Sequence, residues 1–247
     1  MKKLIVFDLD GTLALSKSAI DPEMAELLNR LLGLIKVAII SGGDWPQFQK
    51  QVLSKLTTQK SLNNLSILPA CGTKYYQHHS RWEKLYEENF SEQESANIIS
   101  LLNKAIASAN LLPDQQWGAL IDNRGSQITY SGLGQSAPLK EKSSWDPDFS
   151  KRKVVKGILD KSLSDYSITI GGATSIDITA KGLDKAYGIL KLPENLGILD
   201  TEMIFMGDAL FDGGNDQPVR KTKAVCIRVR DPEETKRVIE GLLALLG

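Results

Sequence analysis

Short apolar runs, each followed by a polar loop and then by apolar residues at helical spacing, recur along this chain and leave it few folds to choose from. Residues 4–7 run into Asp8-Leu9-Asp10-Gly11-Thr12, and Asp21-Pro22-Glu23 opens a helix with Met24, Leu27, Leu28, Leu31 and Leu32 on one face. Residues 37–40 give a second strand, closed by Ser41-Gly42-Gly43-Asp44, and a helix from Trp45-Pro46 turns Phe48, Val52, Leu53 and Leu56 inward. Residues 65–68 give a third strand. Strands that are apolar throughout and alternate with helices are buried on both faces, so the pattern predicts an α/β fold with a parallel sheet covered by helices.

The alternation breaks near residue 86. Helix 91–110, strands 116–121 and 127–130, helix 149–163 and strands 167–170 and 175–179 follow in the order αββαββ, which makes an antiparallel sheet with helices on one face. The βα pattern then returns with helix 184–190, strands 203–206 and 224–229 and an amphipathic helix over 232–246. The reading is a core domain of residues 1–85 and 180–247 with an α+β domain, residues 86–179, inserted in it.

Lys+Arg and Asp+Glu both number 30, so the formal charge is zero and the composition argues against a nucleic-acid or anionic-membrane partner. The basic start imitates a signal peptide, but Asp8 and Asp10 cut its apolar run to four residues. The stretch over 31–40, broken by Gly33 and Lys36, is far short of the roughly 20 residues that span a bilayer. Cys71 and Cys226 read as reduced, buried thiols, and the expected location is cytoplasmic.

Ligands of an open parallel sheet bind beyond the carboxyl ends of its strands, and four polar clusters fall at such ends. Asp8 and Asp10 follow the first strand, Ser41-Gly42-Gly43 the second, Lys185 opens a helix, and Gly207-Asp208 leads to Gly213-Gly214-Asn215-Asp216. Two carboxylates two residues apart, with Asp208, offer hard oxygens for magnesium, and such a site also attracts phosphate. A carboxylate beside the metal can attack phosphorus once charge is offset in line. Asp8 is the candidate nucleophile and Asp10 the candidate acid and base. Ser41 and nearby N–H groups are placed to hold phosphoryl oxygens, Lys185 to offset charge, and Asn215 and Asp216 to turn back toward the metal or Lys185.

Asp8-Leu9-Asp10-Gly11-Thr12 resembles the DxDGT signature of the haloacid dehalogenase superfamily, with Ser41, Lys185 and Gly207-Asp208 in the places of its other motifs. The resemblance implies a Rossmann-like core, an aspartyl-phosphate intermediate, and Mg2+ held by Asp8, the Asp10 carbonyl and Asp208. A narrower resemblance covers most of the chain. Gly207-Asp208 with Gly213-Gly214-Asn215-Asp216, and residues 171–177 followed by Gly182-Leu183-Asp184-Lys185, are similar to segments of the eukaryotic-type phosphomannomutases. This implies that the inserted αββαββ domain is a cap and that its Ser175 and Asp177 contact the sugar. Arg124 falls where the family has an arginine, Gln135 stands in place of another, and Lys142 and Lys17 in place of two more. Gly42 and these cations, Lys17, Arg124 and Lys142, complete the substrate-binding set.

A mutase of this kind holds a bisphosphorylated sugar and lets it reorient, whereas a phosphatase needs only water. The mutase acting on hexose phosphates is therefore the leading expectation, a sugar-phosphate phosphatase the alternative, and a non-catalytic phosphosugar-binding protein a remote third. The resemblance also implies a homodimer through the cap. His78-His79 read as part of a surface hairpin, Trp117 and Trp145 as packing anchors, and Lys140, Lys142, Lys151, Arg152 and Lys153 as a solvated basic face.

Overall fold

A computed structural model describes residues 1–57 and 59–246. The chain divides into two compact units, Met1–Glu87 with Lys185–Asp212 and Asp216–Gly247, and Glu88–Asp184 with Gly213–Asn215.

The first unit begins with β1 (Leu4–Asp8), α1 (Pro22–Leu32), β2 (Lys36–Ile40) and α2 (Trp45–Phe48), the last running on as a π-helical turn over Gln49–Leu53. It continues with β3 (Leu65–Leu68), β4 (Lys74–His78) and β5 (Trp82–Glu87). The inserted unit contains α3 (Glu92–Ser108), β6 (Ile121–Asn123), β7 (Gln127–Ser131), α4 (Leu139–Trp145), α5 (Ser150–Ser162), β8 (Tyr166–Gly171) and β9 (Ser175–Ala180). The chain then returns to the first unit through α6 (Lys185–Leu196), β10 (Met203–Gly207), β11 (Val225–Arg228) and α7 (Pro232–Leu246).

The larger sheet has the order β11-β10-β1-β2-β3-β4-β5. Its first five strands are parallel, and β4 and β5 extend the edge as an antiparallel hairpin that carries His78. The strands are apolar on both faces for the expected reason: Ile5 and Phe7 of β1 face a core with α1 and α7, while Leu4 and Val6 face another with α6. Such strands stay in register because a one-residue slip would exchange the two cores.

Asp21 caps α1 by accepting the Met24 N–H at 2.8 Å, and Pro22 follows at the first turn. The cap also reaches α7, where Lys236 bridges Asp21 at 2.7 Å, Glu23 at 2.9 Å and Glu233 at 2.7 Å. Partial burial pushes the Asp21 carboxyl up, but the hydrogen bonds from Lys236 and Met24 outweigh it and hold Asp21 below its ordinary value of 3.8. The Lys236 hydrogen bond likewise holds Glu23 below 4.5. Depressed carboxyl values stabilise the fold above those ordinary values, and the contribution is lost as pH falls through the folded-state values. Because the three carboxylates are half exposed, solvent screens the cluster. Lys236→Met is therefore expected to lower the melting temperature by about 2–4 °C near neutral pH in low salt. Melts at high salt and at acid pH should show the difference shrinking.

In the inserted unit the four-stranded sheet has the order β6-β7-β9-β8 and is antiparallel throughout. One face packs Ile128, Tyr130, Ile176 and Ile178 against Ile98, Leu102, Val155 and Leu159 of α3 and α5. Helix α3 starts at a reciprocal cap in which Ser91 accepts the Glu94 N–H and Glu94 accepts the Ser91 N–H.

Four local expectations are corrected. The strand predicted over 116–121 is confined to β6. Ahead of it Gly118 takes φ +79 and Trp117 pairs with Leu133 and Ser136, so the segment crosses a turn at Gly134 instead of extending the ladder. The helix α4 was not read from the sequence, and the helix predicted over 184–190 runs on to Leu196 through Pro193. Arg152 is not part of a solvated face but is 1% exposed. Its Nε donates to Asp146 at 2.7 Å and its Nη1 to the carbonyls of Gly171 at 3.1 Å and Gly172 at 2.9 Å. Asp146 is further satisfied by the backbone N–H groups of Lys151 and Arg152, so the buried pair is complete. The fourth correction is that Gly213–Asn215, read with the core, join this unit, where Gly214 bridges to Ile170 of β8.

Trp145 packs against this unit's core as expected, and with Trp117 it also lines a cavity of about 480 Å3. Cys71 and Cys226 are free thiols, the first buried and the second half-buried. Among the described residues, no helix is long and apolar enough to cross a membrane.

Candidate active site

The parallel strands end together, and their carboxyl ends bring Asp8, Asp208 and Asp216 to one place. A ligand oxygen from each lies within 4.8 Å of the others. Asp8 is the last residue of β1 and Asp208 follows β10, the strand paired with it. Lys185, the first residue of α6, completes the cluster: its Nζ donates to Asp8 Oδ1 and to Asp216 Oδ1, each at 2.5 Å.

The residues between the carboxylates explain why they fit. Gly11 has φ +97, and a Cβ on it would stand 2.7 Å from an Asp208 carboxylate oxygen. Thr12, fully buried, accepts the Asp208 N–H at 3.1 Å through its hydroxyl. A Cβ on Gly207 would stand 2.3 Å from Asp216 Oδ2, which instead accepts the Ala209 N–H at 3.0 Å. Gly11, Thr12 and Gly207 thus shape the site without reacting in it. In the sequence Gly11 and Thr12 stand out only as positions of the DxDGT signature.

Helix α6 reaches this depth because two backbones touch. A Cβ on Gly188, one turn beyond Lys185, would lie 2.8 Å from Gly72 Cα, and Gly72 itself has φ +87. The contact presses α6 against the turn after β3, with Lys185 at its buried end. Gly188→Ala must push the helix outward. It is expected to cost about 1–3 kcal/mol in stability and to reduce turnover, which thermal melting and a kinetic assay on the same preparation would check.

The electrostatics follow from burial. Three carboxyl groups share one ammonium, so negative charge is in excess here whenever they ionise together. Burial drives the Asp8 carboxyl well above its ordinary value, Lys185 opposes this, and Asp216 and Asp208 add to it. Asp208 is pushed up to about 6, again by burial first and the charge of Asp216 second. Burial works against the Lys185 ammonium, but Asp216 and Asp8 outweigh it and keep that group charged.

A divalent cation matches this imbalance. Asp216 has both oxygens engaged and Asp8 has one, whereas Asp8 Oδ2 is buried without a hydrogen-bond partner. A hard cation that prefers oxygen ligands fits such a donor set. Among the described residues, Asp8, Asp208 and Asp216 form the acidic group that could bind it.

Asp10 sits beside this cluster. Its Oδ1 accepts the Lys17 N–H at 2.5 Å, and its Oδ2 accepts Ser41 Oγ at 3.3 Å and Gln47 Nε2 at 3.2 Å. Lys17 therefore serves Asp10 through its backbone, in a left-handed conformation with φ 56, while its side chain is half-buried. Ser41 also accepts the Gly43 N–H at 3.1 Å, and Gly42 lies between them. Gln47 was not singled out from the sequence, because no local motif marks a residue that acts from a helix 37 positions away.

The other sequence candidates lie in the inserted unit. Asp177 is buried and accepts Gln127 Nε2 at 3.0 Å and Thr129 Oγ1 at 2.8 Å, while Ser175 Oγ lies 3.3 Å from Ser131 Oγ. Arg124 is buried, with Nε on Asp122 at 2.8 Å and Nη2 on Gln135 Oε1 at 3.4 Å. Gln135 thus supports Arg124 in place of a second guanidinium. Lys142, on α4, is buried as well and not on a solvated face. Asn215 groups with the inserted unit, where its amide nitrogen lies 3.4 Å from where a Cβ on Gly171 would stand.

A sequence profile described as eukaryotic phosphomannomutase matches residues 24–245 of this chain. The chain belongs to the eukaryotic phosphomannomutase family. It is 27% identical over 248 residues to a phosphomannomutase of Schizosaccharomyces pombe, covering 95% of this chain and 91% of that one. It is 25% identical over 219 residues to human phosphomannomutase 1, covering 86% and 81%. Among solved structures, an IMP-bound mutant of Plasmodium falciparum IMP-nucleotidase superposes with a TM-score of 0.73 at 18% identity, covering 99% of this chain and 67% of that one. A Streptococcus mutans protein superposes with a TM-score of 0.67, also at 18% identity, covering 99% and 100%. At such identity the two structures speak for the fold alone, a Rossmann-like parallel-sheet core with an inserted α+β cap domain.

Proposed function

We propose that this protein interconverts hexose 1-phosphate and hexose 6-phosphate through a phosphoryl group carried on Asp8, in the manner of a phosphomannomutase. The observation that carries the reading is Asp8 itself, a buried carboxylate with Oδ1 held by Lys185 and Oδ2 without a hydrogen-bond partner, next to Asp10. Family membership supports the activity.

In the first half-reaction, starting from phosphorylated Asp8, the free hydroxyl of the hexose monophosphate attacks the phosphoryl group, Asp10 takes its proton, and Asp8 is released with hexose 1,6-bisphosphate formed. In the second, after the bisphosphate has turned round, Asp8 Oδ2 attacks the other phosphorus, the bond from that phosphorus to the sugar oxygen breaks, and Asp10 gives its proton to that oxygen. The product leaves with the phosphate at its other end, and Asp8 is phosphorylated again. Lys185 offsets charge on Asp8 and the phosphoryl oxygens, and Ser41 with the N–H groups near Gly42 holds those oxygens. Asp8, the Asp10 carbonyl and Asp208 would hold Mg2+, with Asp216 behind them. Such an ion, when bound, offsets negative charge on the phosphoryl oxygens. For the inserted unit the proposal assigns Arg124, Lys142 and the side chain of Lys17 from the core to the distal phosphate, and Ser175 and Asp177 to the sugar.

One observation favours hydrolysis as a second reading. Arg124, the family's arginine, is already ion-paired with Asp122 at 2.8 Å, and Gln135 adds no charge. A cap that holds the distal phosphate weakly would let water take the place of the second hydroxyl. Phosphorus NMR with Mg2+ and mannose 1-phosphate or glucose 1-phosphate, with and without the 1,6-bisphosphate, separates the two. Hexose 6-phosphate that accumulates only with the bisphosphate supports the mutase. Inorganic phosphate alone supports the phosphatase, and no turnover under any condition leaves a phosphosugar-binding protein.

A further inference from the structure

We infer that Gln47 is a positioning residue that fixes the Asp10 carboxylate for proton transfer. The inference deepens the proposed function and rests on its assignment of Asp10 as acid and base.

Asp10 lies in the loop after β1, so its side chain is not locked by strand packing, and its orientation depends on hydrogen bonds. The Lys17 N–H fixes Oδ1 at 2.5 Å, leaving Oδ2 to two side chains, Ser41 at 3.3 Å and Gln47 at 3.2 Å. Ser41 is also an acceptor for Gly43, and the proposed function gives it phosphoryl oxygens to hold, so Gln47 is the one side chain whose described contact goes to Asp10 alone.

The first turn of α2, which carries Gln47, is fixed from three sides. Asp44 accepts the Trp45 N–H at 2.8 Å, Lys74 donates to the same Asp44 oxygen at 2.9 Å, and the Trp45 ring stacks on Tyr76 with centroids 4.1 Å apart. Gly43 then provides the passage. A Cβ on Gly43 would stand 2.5 Å from Gln47 Cδ and Oε1, so the amide lies over the glycine on its way to Asp10. A neutral amide suits this place, because it donates to Oδ2 without becoming a rival base.

The test measures single-turnover phosphoryl transfer to the enzyme, with Mg2+, from two donors. Hexose 1,6-bisphosphate releases a sugar oxygen that needs a proton, and p-nitrophenyl phosphate releases a nitrophenolate that does not. Gln47→Leu is expected to lose roughly tenfold with the bisphosphate and no more than about twofold with the aryl phosphate. Gln47→Glu, which faces Asp10 with a second carboxylate, should lose at least as much as Gln47→Leu. Gly43→Ala should reproduce the same selective loss by displacing Gln47 without altering it. A merely structural role would lower both donors alike. Asp10→Asn separates the two levels of the argument: if it loses both donors equally, the acid role of Asp10 fails. If Asp10→Asn is selective for the bisphosphate while Gln47→Leu loses both equally or neither, the inference about Gln47 is overturned and the reading of Asp10 stands.

Discussion

Asp8→Asn is expected to reduce turnover by a factor on the order of 10^4 or more, the scale on which removing a covalent nucleophile acts. The amide has the shape of the carboxylate and keeps an oxygen for Lys185, so the local contacts survive. What disappears is the carboxylate oxygen Oδ2, the buried atom without a hydrogen-bond partner that the proposed attack on phosphorus uses. Stability should change little, because the substitution removes one charge from a group of carboxylates that repel one another while Lys185 keeps Asp216. A kinetic assay and a thermal melt on the same sample check both halves. Turnover within tenfold of the wild type would contradict the assignment of Asp8.

Lys185→Met should damage the fold as well as the chemistry. The side chain has 0% exposure and touches two carboxylates, Asp8 and Asp216, that no other cation reaches among the described contacts. Methionine fills a similar volume but leaves both carboxylates without their counter-charge. Breaking a buried pair from one side costs about 3–5 kcal/mol. Loss of charge stabilisation near the phosphoryl group should lower turnover by roughly 10^2 to 10^3. Denaturant unfolding and single-turnover transfer measure the two effects. A variant as stable as the wild type would mean that the cluster is solvated in a way the buried geometry does not allow.

The parts of this molecule that were legible in the sequence are those whose physics is local. The apolar strands β1, β2 and β3 and the capped helix α1 carry their periods and their caps within a few residues, and the clusters after strand ends mark where a parallel sheet binds ligands. Asp8, Asp208, Asp216 and Lys185 were therefore readable as a group before the fold was known. The features that were not legible depend on contacts across many residues. Gln47 acts on Asp10 from another element, Gly188 matters through its touch with Gly72, and Arg152 looks like a surface cation until Asp146 and the carbonyls of Gly171 and Gly172 surround it. The same holds for Trp117, whose apolar neighbours suggest a strand while its backbone pairs across a turn. Asn215 and Asp216 are adjacent in sequence, yet one belongs to each compact unit.

The central claim is that the phosphoryl group is carried by Asp8, and the most direct measurement locates it. The protein would be incubated briefly with Mg2+ and hexose 1,6-bisphosphate, quenched in acid, digested and sequenced by mass spectrometry. The account predicts a hydroxylamine-labile phosphoryl group on Asp8 in the wild type and none in Asp8→Asn. A phosphoryl group on any other residue, or its persistence in Asp8→Asn, would contradict it.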